Sequence, residues 1–336
     1  MNIKKIVLSI LAIVIIVGIA IAIIIGGNKQ NNDNGKIKVV ASNFASYDFL
    51  RAIIGDNDNI ELTFLIGPGK DAHSYDPTAQ DLIKIQNSKL FVYIGGELEQ
   101  WADKVLESLD KTDIEIMRIT DFVDTIEEQE VDGAEEKHEH DDEEENHHEE
   151  GEEHEHEEGA FDEHIWTSPS NAIKMVNVLE DYMEKIDNSN KDKYKENALK
   201  YINQINEVDN KIKQIVDNKV RDTLVFADKM PMQYFINYYN LKVSAAFNGC
   251  STETEPSAKT IAYLQNKVKE ENIPVVLYIE LNPGKVAKTI AKEIDNGCEA
   301  LQIQALHNVS LDDFNNGETW VSLMTRNLDV LKKALQ

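Results

Sequence analysis

The sequence predicts an α/β protein: two (β/α) lobes with mainly parallel sheets, joined by a long rigid helix and preceded by an N-terminal transmembrane anchor. Three observations carry this reading. Short β-rich runs alternate with helical patterns in both halves of the chain, the signature of parallel strands linked by crossover helices. One helical pattern of unusual length separates the halves. An unbroken apolar run stands at the N-terminus.

In order along the chain, Lys4 and Lys5 precede the apolar run 6–25. Twenty residues at helical rise cover about 30 Å, the thickness of a bilayer core, whereas a cleavable leader has an apolar stretch of roughly 7–15 residues. The run therefore reads as an uncleaved anchor, with residues 1–5 cytoplasmic by the positive-inside rule and the remainder outside the cell. Residues 26–36, rich in Asn and Gly, read as a flexible tether.

The first lobe spans 37–188. Its strands are expected at 37–41, 61–66, 90–94 and 114–119; Phe44, Tyr47, Leu50 and Ile54 repeat at helical spacing and stop at Gly55. Within it, residues 127–159 read as a disordered insertion too charged to bury anything. Residues 189–218 form the link. Leu199, Ile202, Ile205, Val208, Ile212 and Ile215 mark one face of a helix from about Lys191 to Asp217, roughly 40 Å long. The second lobe, 219–336, repeats the alternation, with strands at 223–227, 242–247, 275–279 and 299–305 and helices beginning near Pro231, Pro256, Pro283 and Glu318. Four helix starts are signalled by a polar residue before proline: Asp76-Pro77, Ser168-Pro169, Glu255-Pro256 and Asn282-Pro283.

The formal charge of −27 is concentrated, because residues 127–158 alone hold 19 acids and one lysine. No basic footprint is visible, which excludes a nucleic-acid partner. The two cysteines, Cys250 and Cys298, are compatible with an extracellular disulfide or with two buried thiols; neither stands in a C-x-x-C metal pair.

Histidine placement carries the functional signal. Six of the nine (His138, His140, His147, His148, His154, His156) lie in the acidic tract, a composition that binds metals weakly. The other three, His73, His164 and His307, each follow a strand end or an extended loop, where ligands bind in open α/β sheets. Asp228 follows the strand 223–227 in the same way. Three imidazoles and one carboxylate make a four-coordinate set suited to Zn²⁺, with Mn²⁺, which prefers oxygen donors, as the alternative. Glu253, Glu255 and Glu280 read as residues that support the site from behind or replace Asp228.

The run Gly67-Pro68-Gly69 to His73-Ser74-Tyr75-Asp76-Pro77-Thr78, the pair Glu97 and Trp101, the stretch Glu163-His164-Ile165-Trp166-Thr167-Ser168-Pro169, and Thr252-Glu253-Thr254-Glu255-Pro256-Ser257 resemble the zinc/manganese solute-binding proteins of ABC transporters over about residues 37–336. The resemblance implies two lobes linked by a rigid helix, one metal in the cleft, and delivery to a membrane permease by a monomer. It implies that His73 and His164 are the first two ligands and that His307 stands at the family's fourth position. The third position precedes a Tyr-Phe pair, here Tyr234-Phe235, and Asp228 takes it with a one-residue shift from Lys229. Many Gram-positive members carry a lipidated cysteine after the signal sequence; none precedes Cys250, so a peptide anchor is expected instead. Two competing readings are a zinc-dependent hydrolase with Glu280 as general base, and a surface adhesin or passive metal buffer in which the tract matters most.

Overall fold

The computed structural model describes residues 35–70, 72–109, 113–134, 161–249, 251, 255–294 and 297–336. The predicted anchor 6–25, the six clustered histidines, Cys250 and Glu253 lie outside the described residues. Among the described residues no helix is long and apolar enough to cross a membrane.

Two four-stranded parallel sheets carry the fold. The first pairs β1 (Ile37–Ala41), β2 (Ile60–Phe64), β3 (Leu90–Tyr93) and β4 (Glu115–Arg118) in the order β2-β1-β3-β4. The second pairs β5 (Thr223–Met230), β6 (Lys242–Asn248), β7 (Val275–Ile279) and β8 (Glu299–Ile303) in the order β6-β5-β7-β8, which is the same topology repeated. The central strands β3 and β5 are buried at every position, whereas β2 and β8 at the edges are partly exposed along most of their length. Parallel sheets demand this, because crossover helices cover both faces.

The inner faces of both sheets meet α1 (Phe44–Ile54), α4 (Pro169–Ile186), α5 (Lys191–Asp217) and, at the C-terminus, α10 (Trp320–Leu335). One continuous apolar core extends from Val39 through Phe49, Trp166 and Ile205 to Leu335. The outer faces have separate small cores. One lies under α2 (Ala79–Gln86) and α3 (Gln100–Ser108), the other under α7 (Ala258–Glu270) and α8 (Lys285–Lys292). A short α6 (Gln233–Tyr238) and α9 (Leu311–Asn315) complete the described helices. Residues Ile37–Gln336 form one compact unit.

A buried carboxylate knots the lobes to the linking helix. Asp48 of α1 is fully buried; it accepts the Tyr201 hydroxyl from α5 and the Trp320 backbone N–H (2.7 Å) from α10, and pairs with Arg51. The buried stripe of α5 is Tyr194, Ala198, Tyr201, Ile205, Val208, Ile212 and Val216. Leu199, expected on that stripe, is 61% exposed because it sits one position off the 194-198-201 row.

Three further expectations are corrected. Only Pro169 occupies the first turn of its helix. After Pro77 and Pro256, Thr78 and Ser257 cap α2 and α7 by accepting from the backbone N–H of Asp81 and Thr260. A capping hydroxyl satisfies an orphan N–H, which proline does not, so both helices start two residues later. After Pro283, α8 begins at Lys285 behind the left-handed Gly284.

Residues 127–134, expected to belong to the disordered insertion, are packed against the second lobe. Val131 N–H donates to Asn248 Oδ1, and Ala245 N–H donates to the Asp132 carbonyl, both at 3.1 Å, so the segment pairs with the edge strand β6. An open strand edge exposes unpaired backbone groups, and this segment occupies some of them. Strand β5 also runs three residues beyond its expected end. Phe226 and Lys229 pair with Ala245 and Phe247, which places a bulge at Ala227-Asp228.

Asp48→Ala is expected to destabilise the fold by roughly 3–5 kcal/mol, because the knot's remaining donors stay buried without an acceptor. Urea unfolding monitored by circular dichroism measures this. A loss under about 1 kcal/mol, the worth of an ordinary hydrogen bond, contradicts the assigned role.

Candidate metal centre

Three loops, two from the first lobe and one from the second, bring the isolated histidines together. The first leaves β2 and turns through Gly67 (φ +78°) and Gly69 (φ +74°) into a short 3₁₀ turn, Ala72–Ser74, that carries His73. Both glycines are in the left-handed region that disfavours side chains. The second runs from Phe161 to the 3₁₀ turn Ile165–Thr167 and carries His164 at its start. The third follows β8 and carries His307 directly after Leu306, a non-glycine residue at φ +60°. Such strained backbone persists only where neighbours fix it.

The candidate ligand atoms of His73, His164 and His307 all lie within 4.8 Å of one another. Ring centroids are 4.8 Å apart for His73–His307, 5.4 Å for His164–His307 and 5.7 Å for His73–His164. The Nε2 atoms of His164 and His307 are buried and have no hydrogen-bond partner among the described residues. A buried polar atom left in this condition is costly and calls for a partner, and an ion suited to imidazole lone pairs supplies one.

Two carboxylates hold the rings in place. Asp162 Oδ1 accepts both the backbone N–H of His164 (2.7 Å) and its Nδ1 (3.0 Å), which turns Nε2 toward the other rings. Glu280 accepts the backbone N–H groups of Ala305 (2.8 Å), His307 (2.7 Å) and Asn308 (3.4 Å), and so fixes the strained loop. Burial pushes the Glu280 carboxyl up to about 7, against these hydrogen bonds.

Hydrogen bonds also cross between the lobes. The Trp166 indole N–H donates to the Ala305 carbonyl at 3.0 Å, and the Trp320 indole donates to the Trp166 carbonyl at 3.0 Å. Asn308 Nδ2 donates to the carbonyls of Gly67 (3.2 Å) and Lys70, and Gly69 N–H donates to the Val309 carbonyl at 2.8 Å. After β6, Gly249 passes beside the site, where an added Cβ would stand 3.5 Å from His164 Cε1.

Asp228 does not join the histidine cluster. The bulge keeps it inside β5, where its two oxygens accept the N–H groups of Lys229 (2.8 Å) and Ile279 (3.1 Å). Asp228, Glu255 and Glu280 line a cavity of about 330 Å³ that His307 also lines. Sequence reading assigned no role to Asp162 or Trp166. The available signal was the carboxylate two positions before His164, on a stretch where acids are common.

The rings differ electrostatically. For His164, burial opposes the charge, but the Asp162 and Glu163 carboxylates overcome it and hold the pKa above the ordinary imidazole value. For His307, burial, the two neighbouring imidazoles and Lys229 push it well below.

The chain matches the family model described as zinc-uptake complex component A, periplasmic (ZnuA), over residues 39–334. It is 30% identical over 300 residues to the high-affinity zinc uptake system protein ZnuA of Bacillus subtilis, covering 89% of this chain and 88% of the relative. It is 29% identical over 309 residues to the zinc-binding lipoprotein AdcA of Streptococcus pneumoniae (strain R6), covering 91% of this chain but only 57% of that protein, so the chain spans little more than half of it. The crystal structure of the Zn(II)-bound ZnuA-like domain of the pneumococcal AdcA superposes with a TM-score of 0.71 at 26% identity, over 90% of this chain and 99% of that domain.

In the metal-free chain, NMR titration of the imidazoles is expected to find His164 releasing its proton at higher pH than free imidazole, and His307 at much lower pH. Asp162→Asn leaves burial unopposed by its strongest partner and lowers the His164 value. The reverse order for the two rings contradicts this electrostatic account.

Proposed function

Because the chain belongs to the ZnuA family, we propose that it is the extracytoplasmic solute-binding component of a metal ABC importer. In this reading it captures Zn²⁺ between its lobes with His73, His164 and His307 and hands it to the permease, and the apolar run 6–25 holds it at the membrane. The observation that carries the reading is the convergence of the three imidazoles, with the Nε2 atoms of His164 and His307 buried and unpaired among the described residues. An all-imidazole set favours zinc over manganese. The names of the relatives, a zinc uptake protein and a zinc-binding lipoprotein, support the same cargo.

Three imidazoles are also a donor set of catalytic zinc. The hydrolase reading is disfavoured because its expected base, Glu280, is engaged by backbone donors. Both oxygens of Glu280 and both of Asp228 already accept backbone N–H groups. The acidic tract remains, in this reading, a low-affinity collector.

Calorimetry with Zn²⁺ is expected to show one tight site that survives removal of residues 135–158. His73→Ala, His164→Ala and His307→Ala each weaken that site by at least about a hundredfold, and Asp162→Asn by about 10–100-fold through loss of ring orientation. Asp228→Asn changes affinity only a few-fold. Loss of tight binding on removing the tract instead supports the buffer reading.

Zinc takes only neutral imidazole, and His164 holds its proton more strongly than an ordinary imidazole, because the Asp162 and Glu163 carboxylates overcome its burial. Lowering the pH therefore weakens binding, by up to about tenfold per unit for one displaced proton, beginning above the ordinary imidazole range. Competition with a chromophoric chelator across that range measures the slope. A flat profile refutes the assignment.

A further inference from the structure

The carboxylate that orients His164 is itself held from the second lobe. Asp162 is buried, and its carbonyl accepts the hydroxyl of Tyr234, on α6, at 2.6 Å. The same hydroxyl accepts the Ile126 N–H at 3.1 Å, and the Asp162 N–H closes the triangle by donating to the Ile126 carbonyl at 2.9 Å. Beside it Glu127 and Phe161 form an antiparallel bridge. One phenol therefore joins α6 to the start of the His164 loop and to the segment paired with it.

Packing alone does not require that phenol. The Tyr234 ring belongs to the central apolar core, where a phenylalanine would fill the same space. A buried tyrosine hydroxyl needs a polar partner, and this one is spent on the backbone of Asp162. Anchoring the neighbouring segment does not require it either. Gln233 donates to the Glu127 carbonyl at 2.7 Å and accepts the Gln129 N–H at 3.1 Å, and Asn248 accepts the Val131 N–H at 3.1 Å. Among the described residues, Tyr234 is the one of these three side chains whose bond reaches Asp162.

We propose that Tyr234 is a positioning residue for the metal centre: its hydroxyl sets the backbone of Asp162, and the Asp162 carboxylate sets the His164 ring against His73 and His307. The inference rests on the three-histidine reading of the metal site. The transmission is tight, because Asp162 Oδ1 holds both the main-chain N–H (2.7 Å) and Nδ1 (3.0 Å) of His164, so a displaced Asp162 turns the ring with it. The second lobe then contributes His307 as a ligand and, through Tyr234, the aim of a ligand from the first lobe. A partner that orients a ligating imidazole is worth about 10–100-fold in metal affinity, and a group one bond further out is worth less.

The test measures the Zn²⁺ affinity of the full chain by competition with a chelator. Tyr234→Phe keeps the ring and is expected to weaken the tight site about three- to tenfold. Gln233→Ala breaks two bonds to the same neighbouring segment without touching Asp162, and is expected to leave affinity within about twofold. In an Asp162→Ala background, where the link to His164 is already cut, Tyr234→Phe should cost nothing further, whereas a merely structural tyrosine costs the same in both backgrounds. Should Asp162→Ala fail to fold, the Nδ1–H proton resonance of His164 in the zinc-loaded chain decides: Tyr234→Phe moves it and Gln233→Ala does not. The inference is overturned if Tyr234→Phe binds like the parent, loses no more than Gln233→Ala, loses as much in the Asp162→Ala background, or leaves that resonance in place. Failure of the underlying metal reading looks different, because His164→Ala then binds zinc like the parent.

Discussion

Hydrogen bonds from Trp166 and Asn308 to backbone carbonyls of the opposite lobe are the constraint on which the histidine arrangement depends. Trp166 lies two residues from His164 and holds the loop of His307 through Ala305; Asn308 lies next to His307 and holds the loop of His73 through Gly67 and Lys70. Each donor is buried, and each acceptor belongs to a backbone that has few other ways to be satisfied away from water. The rings therefore stand together before any ion arrives. An ion that binds such a site does not have to order the loops, which lowers the entropic cost of binding.

The same economy of motion follows from the core. One apolar cluster crosses from the first sheet through α4, α5 and α10 to the second, and the Asp48 knot joins α1, α5 and α10 at one buried point. Large hinge rotation would break this core open. If the chain carries a metal as proposed, its release calls for a local event, such as protonation of His164 or displacement of a loop at the cleft mouth, rather than separation of the lobes.

Much of this was legible in the chain. Alternating strand and helix patterns reveal parallel sheets because the two periods differ, and isolated histidines after strand ends are rare enough to stand out. What escaped depended on tertiary contacts. Asp228 looked like a residue beyond a strand because the apolar run stops at Ala227, yet β5 continues through a bulge to Met230 and the carboxylate turns to backbone N–H groups. Residues 127–134 looked like part of a polyanion, but Val131 is buried and the backbone pairs with β6. Asp162 was invisible for the opposite reason: in a stretch crowded with acids, nothing in sequence separates the one that orients an imidazole. The prolines before α2 and α7 signalled helices correctly and their starts incorrectly, because the hydroxyl of the next residue makes the cap.

The central claim is that His73, His164 and His307 together bind one zinc ion. X-ray absorption at the zinc edge tests it most directly, on the chain lacking residues 135–158 and loaded with less than one equivalent of zinc. The account predicts three imidazole nitrogens at about 2.0–2.1 Å, falling to two in His307→Ala. A shell dominated by oxygen, or one unchanged by His307→Ala, contradicts it.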